Sequence, residues 1–111
     1  MVKTIELDKI YSAIIDVAKE RNAKLALIFG SLARGDYSKK SDLDVIFIED
    51  TEVGFIDRIS DYLKALRDKD VLKQFDIDVL IYTPREFADM RESGNRFILK
   101  VLREGKVLYG G

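Results

Sequence analysis

The stretch Lys24-Leu25-Ala26-Leu27-Ile28-Phe29-Gly30-Ser31, then ten residues to Asp42-Leu43-Asp44-Val45-Ile46-Phe47-Ile48, decides how this chain reads. Two short apolar runs, one closed by glycine and the other opened by Asp-x-Asp, have the composition of buried strands. The connection between them is too short for a full crossover helix, so the strands are expected to be antiparallel. A strand ending in Gly30-Ser31 offers a tight turn, a hydroxyl and backbone N–H groups, which suit phosphate oxygens. Asp42 and Asp44 stand two apart on a strand and so share a face, which suits a hard divalent cation. Each half has a plainer reading. Gly30 can be a turn glycine and Ser31 a helix cap, while Asp42 can cap a turn and Asp44 face solvent. Together, at this spacing, they describe a site for a metal-bound nucleoside triphosphate.

Outward from this stretch the pattern alternates helix and strand. Leu7, Ile10, Tyr11, Ile14, Val17 and Ala18 recur at helical spacing and predict a helix over about 7–21, ended near Asn22. Ser31 to Arg34 could form one helical turn, stopped by Gly35. Phe55, Ile59, Tyr62, Leu63 and Leu66 mark a second amphipathic helix, about 53–69. In the run from Phe75 to Tyr82, Ile77, Val79 and Ile81 alternate against Asp76, Asp78 and Leu80, which predicts a third strand. Thr83-Pro84-Arg85-Glu86 combines a capping box with proline at the first helical position. The helix it starts is given an apolar face by Phe87, Met90, Phe97, Ile98, Val101 and Leu102, with a break at Ser93-Gly94-Asn95. Gly105 ends it, and Lys106-Val107-Leu108-Tyr109 reads as a short edge strand. The fold class is therefore α/β (α+β): a small mixed sheet with helices packed mainly on one face.

At 111 residues, 47% of them apolar, the chain is expected to be one domain spanning 1–111 with a buried core. It shows no repeat, linker, signal-peptide pattern or apolar run of membrane-spanning length, so no membrane partner is expected. With no cysteine, a cytoplasmic location is the expectation. Histidine is also absent, so a bound metal must sit on oxygen, which favours Mg²⁺ or Mn²⁺ over zinc. A net charge of −1, with 35% of residues charged, argues against an extended nucleic-acid footprint.

Two metals held for an in-line displacement need a third carboxylate. The third strand offers Asp76 and Asp78 on one face; Asp78 is preferred because it lies deeper, between Ile77 and Val79. Arg34 could neutralise triphosphate charge or simply pair with Asp36 on the surface. Lys39 and Lys40 read as a solvated loop, and the aromatic residues as packing.

Gly30-Ser31, the ten-residue spacing, Asp42-x-Asp44 and the later Asp78 resemble the minimal nucleotidyltransferase family, the smallest members of the DNA polymerase β-like superfamily. The similarity covers nearly the whole chain. It implies a nucleotidyltransferase fold, dependence on Mg²⁺ (two ions, with Mn²⁺ as an alternative), and transfer of AMP from ATP with release of pyrophosphate. Carried over by position, Asp42 and Asp44 would bind the metals, Asp78 would complete the metal site where the acceptor hydroxyl is activated, and Gly30 and Ser31 would anchor the phosphates. Arg34 stands at its expected place; many relatives have arginine where this chain has Leu32, so one cation near the triphosphate is missing there. Many proteins of the family act as the antitoxin of a HEPN-domain ribonuclease toxin and adenylylate a toxin tyrosine. With a catalytic core and no separate acceptor-binding domain, this chain is expected to take its acceptor from such a partner or from a homo- or hetero-oligomer. The alternatives are a non-catalytic antitoxin or adaptor, or a nucleotidyltransferase acting on RNA or a small molecule.

Overall fold

The computed structural model describes residues 2–30, 33 and 42–110, with side chains from residue 7 onward. In chain order the elements are α1 (Val2–Glu20), β1 (Leu25–Phe29), β2 (Asp42–Ile48), α2 (Phe55–Arg67), a 3₁₀ turn (Asp70–Leu72), β3 (Asp76–Tyr82), α3 (Pro84–Glu92), α4 (Arg96–Glu104) and β4 (Lys106–Gly110). Helix α1 begins at Val2, five residues before the predicted start, because the helical spacing of apolar residues in the sequence is counted only from Leu7. It stops at Asn22, which takes a left-handed φ of 60° that asparagine tolerates. The Ala23 amide reaches back to Ala18 O (2.8 Å) and the Asn22 amide to Lys19 O (3.2 Å), satisfying carbonyls that the helix end leaves open.

The strands form one mixed sheet in the order β3-β2-β1-β4. Strand β1 runs antiparallel to both β2 and β4, as the short β1–β2 connection requires. Strands β2 and β3 are parallel, and their crossover is made by α2 and the 3₁₀ turn. The larger core lies on one face, where Ala26, Ile28, Leu43, Val45 and Phe47 meet Ile10, Ile14 and Val17 of α1 and Tyr62 and Leu66 of α2. On the other face Leu27, Ile46, Ile48 and Tyr82 pack against Ile98 and Val101 of α4. With both faces covered, β2 is buried without interruption from Val45 to Ile48. Period-two alternation then puts Asp42, Asp44, Asp76 and Asp78 on the α4 face, with Ile46, Ile48, Leu80 and Tyr82. The expected apolar face of α4 is narrower than its sequence suggests. Ile98 and Val101 are buried, whereas Phe97 and Leu102 remain 41% and 42% exposed.

Local chemistry fixes the second half of the chain. The Thr83 hydroxyl accepts from the Glu86 amide (3.1 Å) and the Glu86 carboxylate accepts from the Thr83 amide (2.9 Å), completing the predicted capping box. The break before α4 falls at Gly94, with φ +75°, and Asn95 caps α4 by accepting from the Ile98 amide (3.0 Å). Buried Arg58 ties three elements together. It donates to Val53 O (2.7 Å), to Ile81 O at the end of β3 (3.3 Å) and to Glu86 of α3 (2.7 Å). That guanidinium, with the Thr83 amide, holds the Glu86 carboxyl below its ordinary range. Tyr62 stacks at 4.5 Å on Phe47 and donates its hydroxyl to Glu49; burial is the main reason its ionisation is pushed up. Among the described residues, no helix is long and apolar enough to cross a membrane.

Candidate active site

The sheet register brings the predicted carboxylates together. Asp44 lies opposite Asp78 across the parallel β2–β3 ladder, and Asp42 lies opposite Asp76. Neighbouring strands run roughly 4.8 Å apart, so Asp44 and Asp78 are adjacent carboxylates on one face. Two like charges at that separation disfavour each other unless a cation is shared between them. Asp44 is half-buried, whereas Asp42, Asp76 and Asp78 are exposed. The preference for Asp78 over Asp76 rested on depth in the strand; the geometric distinction is that Asp78 pairs with the half-buried Asp44.

Among the described residues, no group of three or more acidic side chains is gathered closely enough to hold a metal ion by itself. An open arrangement is what Mg²⁺ takes when one or two carboxylates and substrate phosphates share its coordination. Asp44 and Asp78, adjacent across the ladder, supply hard oxygen donors at the mouth of two strands and fit such an ion as its one or two carboxylates, with Asp42 two residues along the same face.

On its other side, Asp44 faces β1. Phe29 is its register partner, and Gly30 follows with φ +75°. A Cβ placed on Gly30 would lie 2.5 Å from Asp44 Oδ2, closer than a real side chain can come. Glycine here therefore does two things: it takes a left-handed turn and it lets the chain pass beside the carboxylate. Ser31 and Arg34, the other predicted phosphate contacts, lie outside the described residues, as do Lys39 and Lys40. Of the short helical turn expected over 31–34, only Ala33 is described, and it is helical.

Gly30 and Asp44 also border a cavity of about 240 Å³, completed by Phe29, Phe97, Lys100, Val101 and Glu104. The Phe29 and Phe97 rings meet edge to face at 5.5 Å. The α4 residues of this wall were missed as site residues in the sequence. Their signal was present, since positions 97, 100, 101 and 104 form one helical stripe. What hid it was the reading of Phe97 as core and the expectation that helices cover mainly one face.

The sequence profile of the family "Polymerase beta, Nucleotidyltransferase" matches residues 12–111. A Methanocaldococcus jannaschii protein that carries the provisional name protein adenylyltransferase is 34% identical over 86 residues, which is 78% of each chain. In shape, the chain is similar to a toxin–antitoxin solved with AMP-PNP, with a TM-score of 0.66 at 19% identity, covering 91% of this chain and 73% of the other. It is also similar to the toxin–antitoxin MntA–HpeT, solved as a variant with two aspartates changed to glutamate. There the TM-score is 0.65 at 17% identity, with the same 91% and 73% coverage. The paired carboxylates, the glycine turn beside them and these likenesses agree, and the chain belongs to the polymerase-β nucleotidyltransferase family.

Proposed function

We propose that this nucleotidyltransferase moves AMP from ATP to a hydroxyl of a protein partner, acting as the antitoxin of a HEPN-domain ribonuclease toxin and modifying a toxin tyrosine. The observation that carries the chemistry is the register of Asp44 against Asp78, with Gly30 on the far side of Asp44. Support for a protein acceptor comes from the M. jannaschii relative's name and from the two toxin–antitoxin complexes of similar shape.

In the proposed reaction the acceptor hydroxyl is positioned at Asp78, which takes up its proton as a new O–P bond forms at the α-phosphorus. The bond from that phosphorus to the bridging oxygen breaks on the opposite side, and pyrophosphate leaves toward Gly30 and Ser31. Asp42, Asp44 and Asp78 would hold one or two Mg²⁺ ions. When bound, such ions neutralise the charge that develops on the attacking and leaving oxygens. Arg34 would add a positive charge near the triphosphate.

The test uses labelled ATP, Mg²⁺ and the protein encoded beside this one. Label should pass to the partner and should fall by on the order of a thousandfold with Asp44→Asn, because that change removes a charge used in the transition state. Neutralisation of the partner that is untouched by Asp44→Asn, with no label transferred, would replace this reading with one of binding alone. Transfer to RNA or a small molecule without any partner would also overturn it.

A further inference from the structure

We infer that Lys100 of α4 is a phosphate-binding residue, supplying positive charge at the leaving-group end of the nucleotide. The inference rests on the reading above. By register, Asp78 on β3, Asp44 on β2 and Gly30 at the end of β1 follow one another across the sheet. An in-line displacement needs the attacking oxygen, the phosphorus and the leaving oxygen on one line. With the acceptor at Asp78, that line carries the pyrophosphate over Gly30 and on toward the cavity beneath α4. Lys100 is the one cation among the described residues that lines this cavity with Gly30 and Asp44.

Three further observations agree. Lys100 is exposed and has no ion-pair partner among the described residues, so its charge is not committed elsewhere in the fold. The Phe29 and Phe97 rings and Val101 give the cavity an apolar wall, so Lys100 is the charged donor it offers a phosphate. Beside the Gly30-Ser31 turn the chain has Leu32, which supplies no charge.

The experiment is calorimetric titration of AMP-PNP and of AMP, each with Mg²⁺, into the wild type, Lys100→Met and Lys100→Arg. Methionine keeps much of the side-chain stem, and arginine keeps the charge. If Lys100 reads the β- or γ-phosphate, Lys100→Met binds AMP-PNP about tenfold more weakly and AMP as the wild type does. Lys100→Arg then recovers most of the loss. An equal loss for AMP and AMP-PNP would overturn the inference and assign the cavity to the nucleoside. Wild-type affinity in Lys100→Met would overturn it while leaving the proposed function standing. A wild type that binds no AMP-PNP would bring both down.

Discussion

Replacing Gly30 with alanine tests the joint between the turn and the carboxylate, because the structure contains its own control. Gly30 and Gly94 both have φ +75°, so alanine at either meets the same left-handed backbone, which costs about 1–2 kcal/mol. For a chain of this length each kcal/mol lowers the melting temperature by roughly 4 °C, so both variants should melt about 4–8 °C below the wild type. The surroundings differ. Nothing lies within 4 Å of a Cβ on Gly94, whereas on Gly30 it would meet Asp44 Oδ2 at 2.5 Å. To restore the 3.4 Å of ordinary contact, that oxygen must withdraw by about 0.9 Å. Misplacing a reacting group by ~1 Å costs on the order of a hundredfold in rate. Gly30→Ala should therefore lose about that much AMP transfer, while Gly94→Ala keeps wild-type transfer despite a comparable drop in stability. Thermal melts and initial rates of label transfer, measured below both melting ranges, separate the two effects. If Gly30→Ala transfers AMP within a few-fold of Gly94→Ala, the glycine does not protect the position of Asp44 and the reasoning fails.

Two further outcomes are expected away from the site. Glu86 has a folded-state pKa below its unfolded value, so its contribution is present above the unfolded pKa and is lost as pH falls through the folded one. At neutral pH, Glu86→Gln should cost on the order of 1 kcal/mol, discounted because the carboxylate is 42% exposed, and the gap to wild type should close as pH falls below the ordinary carboxylate range. Melting temperature followed against pH checks this, and a gap that stays constant would rule out the Arg58 pairing as its source. Gly110 has φ +77°, and a Cβ there would meet Lys24 O at 2.0 Å, which is backbone and cannot rotate away. Gly110→Ala should therefore detach the end of β4: its amides should lose hydrogen-exchange protection while those of β2 and β3 keep theirs.

What the sequence made legible was local. Thr83 and Glu86 cap the same turn of chain, and Ser93-Gly94-Asn95 breaks a helix where it stands, so both were readable from neighbouring residues. Asp42 and Asp44 share a face by strand period alone, and the short β1–β2 connection dictated their antiparallel pairing. The register that sets Asp44 beside Asp78 was not readable, because it is fixed by a crossover packing against α1 and the sheet rather than by any short-range spacing. The same limit hid the role of α4. Phe97 is as apolar as Ile98, and only the direction in which the helix lies across β1 and β2 separates a cavity wall from a core residue.

The parallel pairing of β2 with β3 also orders events in time. A chain emerging from its N-terminus can close the β1–β2 hairpin early, which puts Gly30 beside Asp44 but leaves the ladder neighbour of Asp44 unmade. That neighbour arrives only when the chain from Glu49 to Phe75 has folded back, and such distant closure is slow compared with hairpin formation. The lysine-bearing wall arrives later still, with α4. A half-synthesised protein therefore holds neither a complete set of carboxylates nor a roof over them. Nucleotide binding thus reports completion of the fold, and it should stabilise the finished chain without assisting any earlier stage.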